Sequence, residues 1–130
     1  GKDDESLARA RETLGPEKII GVSCYDQLST ALEMQRCGAD YVAFGSFFQS
    51  SSKPSAKIVP TDILLDASSC GLDIPVVAIG GITLENAPDL LDRGVNMLAT
   101  INGIFGASDV TRVSSEWVVL MQRYRTKRNN

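Results

Sequence analysis

The sequence predicts an α/β chain built on four parallel strands with flanking helices, and two observations carry that reading. Four short apolar runs stand at 18–23 (KIIGVS), 41–46 (YVAFGS), 75–80 (PVVAIG) and 97–102 (MLATIN), each near-continuous rather than alternating. Strands buried on both faces of a parallel sheet have this pattern. Segments of helical period lie between the runs, which gives the order α-β-α-β-α-β-α-β-α, a repeated βα unit. With 43% apolar and 22% charged residues in 130, the composition is that of a globular chain, and the length suits one domain, 1–130, around one core.

Each element has its own local signal. The first segment, 5–14, is helical and ends at Gly15-Pro16. Asp26 stands where it can cap a second helix whose apolar face includes Leu28, Ala31, Leu32 and Met34, and Gly38 stops it. Thr61 can cap a helix over 62–70, with Gly71 just after its end. Thr83 can cap the segment that runs to Arg93 and Gly94, although Pro88 predicts a late start or a bend. In the last helix Val110, Val113, Trp117, Leu120, Met121 and Tyr124 share one face. The tail, 123–130, is polar and basic and is expected to fray. Strand starts at 18, 41, 75 and 97 space the units 23, 34 and 22 residues apart. The long interval holds a loop, 47–60, rich in Ser, Lys and Pro. It follows a strand's C-terminal end, where function collects in βα folds.

Several function classes are excluded. The net charge of −3 argues against a nucleic-acid partner. The longest nearly apolar run, 74–82, is far short of the roughly 18 residues a membrane span needs, and no secretory signal is visible. Small-molecule partners and a cytoplasmic location are expected. The three cysteines, Cys24, Cys37 and Cys70, form no C-x-x-C, and the chain has no histidine. Zinc would need three thiolates and a carboxylate, so thiols in a reducing cytosol are the simpler reading. Mechanisms that need an imidazole on this chain are excluded. Cys24, with no visible activating group, reads as packing.

Four places offer chemistry. Gly80-Gly81 lies between a strand and a helix, where backbone N–H groups and the helix N-terminus favour an anion. Alone it is equally a tight turn. The next strand ends in Ile101-Asn102-Gly103, and two successive loops of this kind resemble the phosphate cup after strands 7 and 8 of a (β/α)8 barrel. Together they favour phosphate binding. Ser50, Ser51, Ser52 and Lys53 supply hydroxyls and a cation, good phosphate donors, but composition alone prefers a solvated loop. Ser23 ends its strand and can face the same mouth or cap a turn. Asp3, Asp4 and Glu5 suit either Mg²⁺ or the acidic first turn of a helix.

In order, GKDD at 1–4, LGPEKIIGVS at 14–23, GADYVAFGSFFQSSSKP at 38–54, IPVVAIGGITLENA at 74–87 and ATINGIFGASD at 99–109 closely resemble the thiamine-phosphate synthase family. The resemblance covers nearly the whole chain. It implies a Mg²⁺-dependent transferase in a (β/α)8 barrel that joins a hydroxymethylpyrimidine diphosphate to a thiazole phosphate, releasing pyrophosphate. By position, it assigns Asp4 to the family's second Mg²⁺ aspartate. Ser23 and Lys53 match residues that hold the diphosphate and would be the catalytic pair. Ser50, Ser51 and Ser52 fall on a Thr-x-Thr stretch that contacts the thiazole phosphate, and Gly81, Ile101 and Asn102 fall on its phosphate cup.

The sequence departs from the family pattern at Lys2, usually Gln, at Ser50 and Ser52, where threonines stand, and at Asn102, where Ser is common. The larger departure is length, since a complete barrel needs about 200 residues or more. The four strands correspond to strands 5 to 8, the C-terminal half of a TIM barrel. The pyrimidine-ring residues and the first Mg²⁺ aspartate are expected upstream of Gly1, and the isolated chain is expected to be inactive. A thiazole tautomerase of the same fold is disfavoured because the resemblance ties that activity to a histidine. The third reading is a non-catalytic phosphate-binding half-barrel, and an open half-barrel invites self-association.

Overall fold

The computed structural model describes the backbone of residues 2–129 and the side chains of 5–129. Along it come α1 (Lys2–Leu14), β1 (Gly21–Tyr25), α2 (Leu28–Arg36), β2 (Tyr41–Phe44), α3 (Ile63–Ser69), β3 (Val76–Ile79), α4 (Ala87–Asp92), β4 (Met97–Ala99), α5 (Asn102–Phe105) and α6 (Val110–Asn129). The four strands form one sheet in the order β1-β2-β3-β4, and every pairing is parallel. The predicted α/β fold with four parallel strands and flanking helices is the fold observed. Helix-bearing crossovers join neighbours, so all four C-terminal strand ends open on one side.

The pleat sorts the strand residues into two unequal faces. Val42, Phe44, Val76, Ala78 and Cys24 are buried, in one core with Ala31 and Met34 of α2, Leu64 and Ala67 of α3, and Leu90 and Leu91 of α4. The alternate residues are more open, apart from Ala43 on β2, which is buried. Gly21, Ser23 and Tyr25 on β1, and Met97 and Ala99 on β4, are exposed, whereas Val77 and Ile79 of β3 are half-buried. The apolar runs therefore reflect two apolar faces, but only one is fully covered by this chain's own helices. Trp117 is the buried residue of α6, with Val113, Leu120, Met121 and Tyr124 packed partly against the core; Val110 is exposed.

Several local expectations shift. β1 begins at Gly21 rather than residue 18, because the Ile20 N–H donates to the Asp40 carboxylate at 2.7 Å and Ile19 lies 77% exposed. β4 ends at Ala99, and Asn102, read as a strand end, begins α5 instead. The N-cap of α2 is Gln27, with no side-chain cap; Asp26 is engaged elsewhere, as described below. Asp62, not Thr61, precedes α3. Thr83 and Asn86 close a reciprocal turn, the Thr83 N–H donating to Asn86 Oδ1 (2.8 Å) and the Asn86 N–H to Thr83 Oγ1 (3.3 Å). Helix α4 then starts late, at Ala87, with Pro88 in its first turn, where a missing N–H costs nothing. The tail continues α6 to Asn129.

The opposite end of the sheet is closed by side chains that satisfy loop backbone. Gln35 Oε1 accepts the N–H groups of Asp73 (2.6 Å) and Ile74 (3.0 Å), while its amide donates to the Gly71 carbonyl (3.0 Å). Asn96 Oδ1 accepts the Val76 N–H at 2.9 Å. Arg11 donates to the Gly38 carbonyl (3.1 Å) and to Asp40 (2.9 Å). The Ile20 N–H, and after it Arg11, hold the Asp40 carboxyl below its ordinary range. A depressed carboxyl stabilises the fold fully above its unfolded pKa, about 4, and the contribution is lost as pH falls through the lower folded value. Urea unfolding from about pH 6 down to pH 2.5 is therefore expected to show a shallower acid limb in Asp40→Asn than in the unaltered chain. Superimposable acid limbs would contradict this role.

Candidate active site

Loops from all four C-terminal strand ends enclose one cleft of about 1010 Å³. Ser23, Tyr25 and Asp26 come from the β1 end, Gly45, Ser46 and the 47–60 loop from β2, Ile79 to Thr83 from β3, and Ala99 to Gly103 from β4. Of the residues singled out in the sequence, Ser23, Ser50, Ser51, Ser52, Lys53, Gly81, Ile101 and Asn102 all line it. Asp4 lies outside the residues whose side chains are described. A second, shallower groove between Leu84 and α6 collects Arg112, Glu116 and Arg123 but no strand end.

The cleft floor is made by two glycines and by the loop packed over them. Gly80 and Gly81 have φ of +99° and +63°, values that favour residues without a Cβ. The space is also taken. A Cβ on Gly80 would lie 2.6 Å from Ser46 Cα, and one on Gly81 would lie 2.6 Å from the Phe48 carbonyl oxygen. The loop comes this close because the β2–β3 ladder continues beyond the strands: the Phe47 N–H donates to the Ile79 carbonyl (3.1 Å) and the Phe48 N–H to the Gly80 carbonyl (3.0 Å). Asn86 Nδ2 donates to the Gly81 carbonyl at 3.0 Å. The glycine pair therefore has a structural requirement independent of any ligand.

The neighbouring loop is pinned by Thr100, whose hydroxyl donates to the Ile82 carbonyl (2.7 Å) and accepts the Gly103 N–H (3.1 Å). Trp117 Nε1 donates to the Gly103 carbonyl from behind at 3.1 Å. Ile101 is 64% exposed at this rim. The Asn102 side-chain amide donates to Ser51 Oγ, joining the β4 end to the Ser-rich loop. Within that loop the Lys53 N–H donates to Ser50 Oγ (3.2 Å) and the Ala56 N–H to the Lys53 carbonyl (3.2 Å). This turn presents Lys53 exposed at the cleft. Backbone amides, serine hydroxyls and lysine in one concave site suit a phosphorylated ligand.

The sequence reading missed an ion pair at the cleft mouth. Lys57 Nζ lies 2.7 Å from Asp26 Oδ2. The hydrogen bond, and after it the opposite charge, lower the Asp26 pKa and raise that of Lys57. Asp26 has the type and position of a helix cap, and a contact 31 residues distant leaves no periodic signal. Thr100 likewise gives no signal as a rim residue, because its hydroxyl donates to the Ile82 carbonyl of another loop. Among the described residues no cluster of three His, Cys, Asp or Glu is placed to hold a metal. Among the described residues Asp26 is the one carboxylate lining the cleft, and it is committed to Lys57. Mg²⁺ uses one or two carboxylates besides substrate phosphate, so the described residues do not by themselves fit that ion.

The thiamine monophosphate synthase (TMP-TENI) family profile matches residues 1–104. The chain is 51% identical over 109 residues to a thiamine-phosphate synthase of Azoarcus sp. strain BH72, covering 84% of this chain and 52% of that protein. It is 42% identical over 128 residues to the thiamine-phosphate synthase of Methylococcus capsulatus, covering 98% and 57% respectively. Among solved structures, the thiamine phosphate pyrophosphorylase of Pyrococcus furiosus aligns with a TM-score of 0.78 and 36% identity over 91% of this chain and 55% of that one. A 3-hexulose-6-phosphate synthase, at TM-score 0.64 and 19% identity over 93% and 56%, shares the fold. The chain spans about half the length of the curated relatives it matches.

The glycine geometry yields a test that needs no ligand. Gly81→Ala must either hold alanine in left-handed backbone or push the Phe48 carbonyl away, and strain of this kind costs about 1–3 kcal/mol. Thermal or urea unfolding of the ligand-free variant is expected to show that loss. Full stability with weakened phosphate binding alone would mean that the glycine serves only the ligand.

Proposed function

The chain belongs to the thiamine monophosphate synthase family, and from that premise we propose that it supplies the phosphate-handling half of a thiamine-phosphate synthase. The reaction joins 4-amino-2-methyl-5-hydroxymethylpyrimidine diphosphate to 4-methyl-5-(2-phosphoethyl)thiazole, giving thiamine phosphate and pyrophosphate. One observation carries the proposal: eight residues that the family resemblance selects from β1, from the loops after β2 and β3, and from the start of α5 line a single cleft.

The sheet corresponds, in this proposal, to strands 5 to 8 of a (β/α)8 barrel. Its support is the open apolar face, the exposed inward residues of edge strands β1 and β4, and the half-length match. A barrel covers such a face and abolishes such edges. The same open face supports self-association of the isolated chain. The cytoplasm is the proposed location; no helix among the described residues is long and apolar enough to cross a membrane.

Ser50, Ser51, Ser52, Gly81, Ile101 and Asn102 bind the thiazole phosphate, and Ser23 with Lys53 holds the diphosphate. The methylene–oxygen bond of the pyrimidine substrate breaks, and its electron pair leaves with pyrophosphate. The thiazole nitrogen then gives its lone pair to the methylene carbon. No proton is abstracted in these steps, which suits a chain without histidine. Lys53 stands where negative charge grows on the leaving group. Mg²⁺, which the family resemblance implies, adds charge neutralisation there when bound. Its proposed residue on this chain is Asp4, and no step here is routed through it.

Activity separates this reading from a non-catalytic phosphate binder. The isolated chain is expected to give no pyrophosphate release, since the resemblance assigns it Asp4 but neither the family's other Mg²⁺ aspartate nor its pyrimidine-ring residues. When joined to the other half of the barrel, the chain should restore turnover. Lys53→Ala should then lower kcat by about 10²–10³-fold, with a smaller change in the KM for the thiazole phosphate. A raised thiazole KM at unchanged kcat would reassign Lys53, and no turnover in the joined enzyme would favour the non-catalytic reading.

A further inference from the structure

The 47–60 loop carries Ser50 to Lys53, yet it hangs from β2 while the cleft spans the whole sheet. Its base is closed by backbone, the Val59 N–H donating to the Ser46 carbonyl at 2.8 Å. Its span is tied sideways by side chains in opposite directions. Asn102 reaches Ser51 from the β4 end. Lys57 reaches Asp26, at the β1 end, at 2.7 Å. A loop held on both sides stands across the cleft, whereas a loop held on one side leans away from the other.

We propose that Asp26 is a positioning residue: by holding Lys57 it draws the Ser-rich loop across the cleft, so that Ser50, Ser51 and Lys53 stand over the anion site. This rests on the phosphate reading of the cleft. The pair joins residues from two strand ends, both of which line the cleft, and each partner's ionised form is stabilised by the other. Asp26 is the more fixed partner, with its side chain 32% exposed against 81% for Lys57. It follows directly on β1, so the anchor moves with the sheet and the tethered lysine with the loop. Exposed pairs of this kind shift an equilibrium by about fivefold at most, a size suited to biasing a loop rather than to folding the chain.

The opposite possibility makes the test decisive. If Lys57 is itself a phosphate ligand, Asp26 competes with the anion for it, and removing Asp26 tightens binding. The experiment compares the unaltered chain with Asp26→Asn, Lys57→Gln and the charge-exchanged pair Asp26→Lys with Lys57→Asp. Calorimetric titration with inorganic pyrophosphate and amide exchange across 47–60 are read on each. Both single variants are expected to speed exchange in the loop and to weaken pyrophosphate about two- to fivefold. The exchanged pair should recover both properties, and high salt should erase the differences. Tighter pyrophosphate binding in Asp26→Asn, failure of the exchanged pair to recover, or unchanged loop exchange in both single variants would overturn the tether. The exchange comparison decides the tether whether or not pyrophosphate binds, and absence of binding to the unaltered chain would instead remove the phosphate reading.

Discussion

The cleft depends on the central pair of strands, β2 and β3, and on the continuation of their ladder past the strand ends. Val42, Phe44 and Ala78 are fully buried on this pair, which fixes its register against the helices. That register carries the Phe47 and Phe48 amides onto the Ile79 and Gly80 carbonyls. The loop backbone is thereby set against Gly81, and every later feature inherits its position: the turn at Ser50 to Lys53, the Asn102 contact with Ser51, and the reach of Lys57 to Asp26. A side chain at Gly81 has no space because the ladder has already used it.

The same sheet has a second, unequal face. Parallel sheets are ordinarily covered on both sides, and here the helices cover only one. The near-continuous apolar runs fit a sheet buried on both faces, as the proposed barrel would bury it. Met97 and Ala99 on β4, and Gly21, Ser23 and Tyr25 on β1, occupy the positions that further strands of the proposed barrel would cover.

Much of the fold was legible because it is local. Apolar runs bounded by Gly, Ser or Asn located the strands, and Gly38, Gly71 and Gly94 marked where helices stop; each adopts positive φ at those positions. The strand boundaries slipped where a side chain outcompeted the ladder, as when Asp40 took the Ile20 N–H. Helix starts slipped for the same reason: Asp26 is a competent cap by type, but a lysine 31 residues away holds it. The rim residues chosen by spacing and resemblance do meet in one cleft. Thr100, Trp117 and the Asp26–Lys57 pair hold the rim in shape through contacts 14 to 31 residues distant in sequence, which periodicity and spacing do not announce, whereas Asn86 acts locally on Thr83 and Gly81.

An NMR titration of the chain with inorganic phosphate distinguishes the proposed anion cup, formed by the strand-end loops as one unit, from separate local sites. Amide shifts should move together at Gly81, Ser51 to Lys53 and Asn102, with a single saturation curve, while amides around Gln35 and Asn96 at the opposite end stay still. Shifts confined to one loop, different curves for different loops, or perturbation centred on the groove along α6 would mean that the loops do not form one cup.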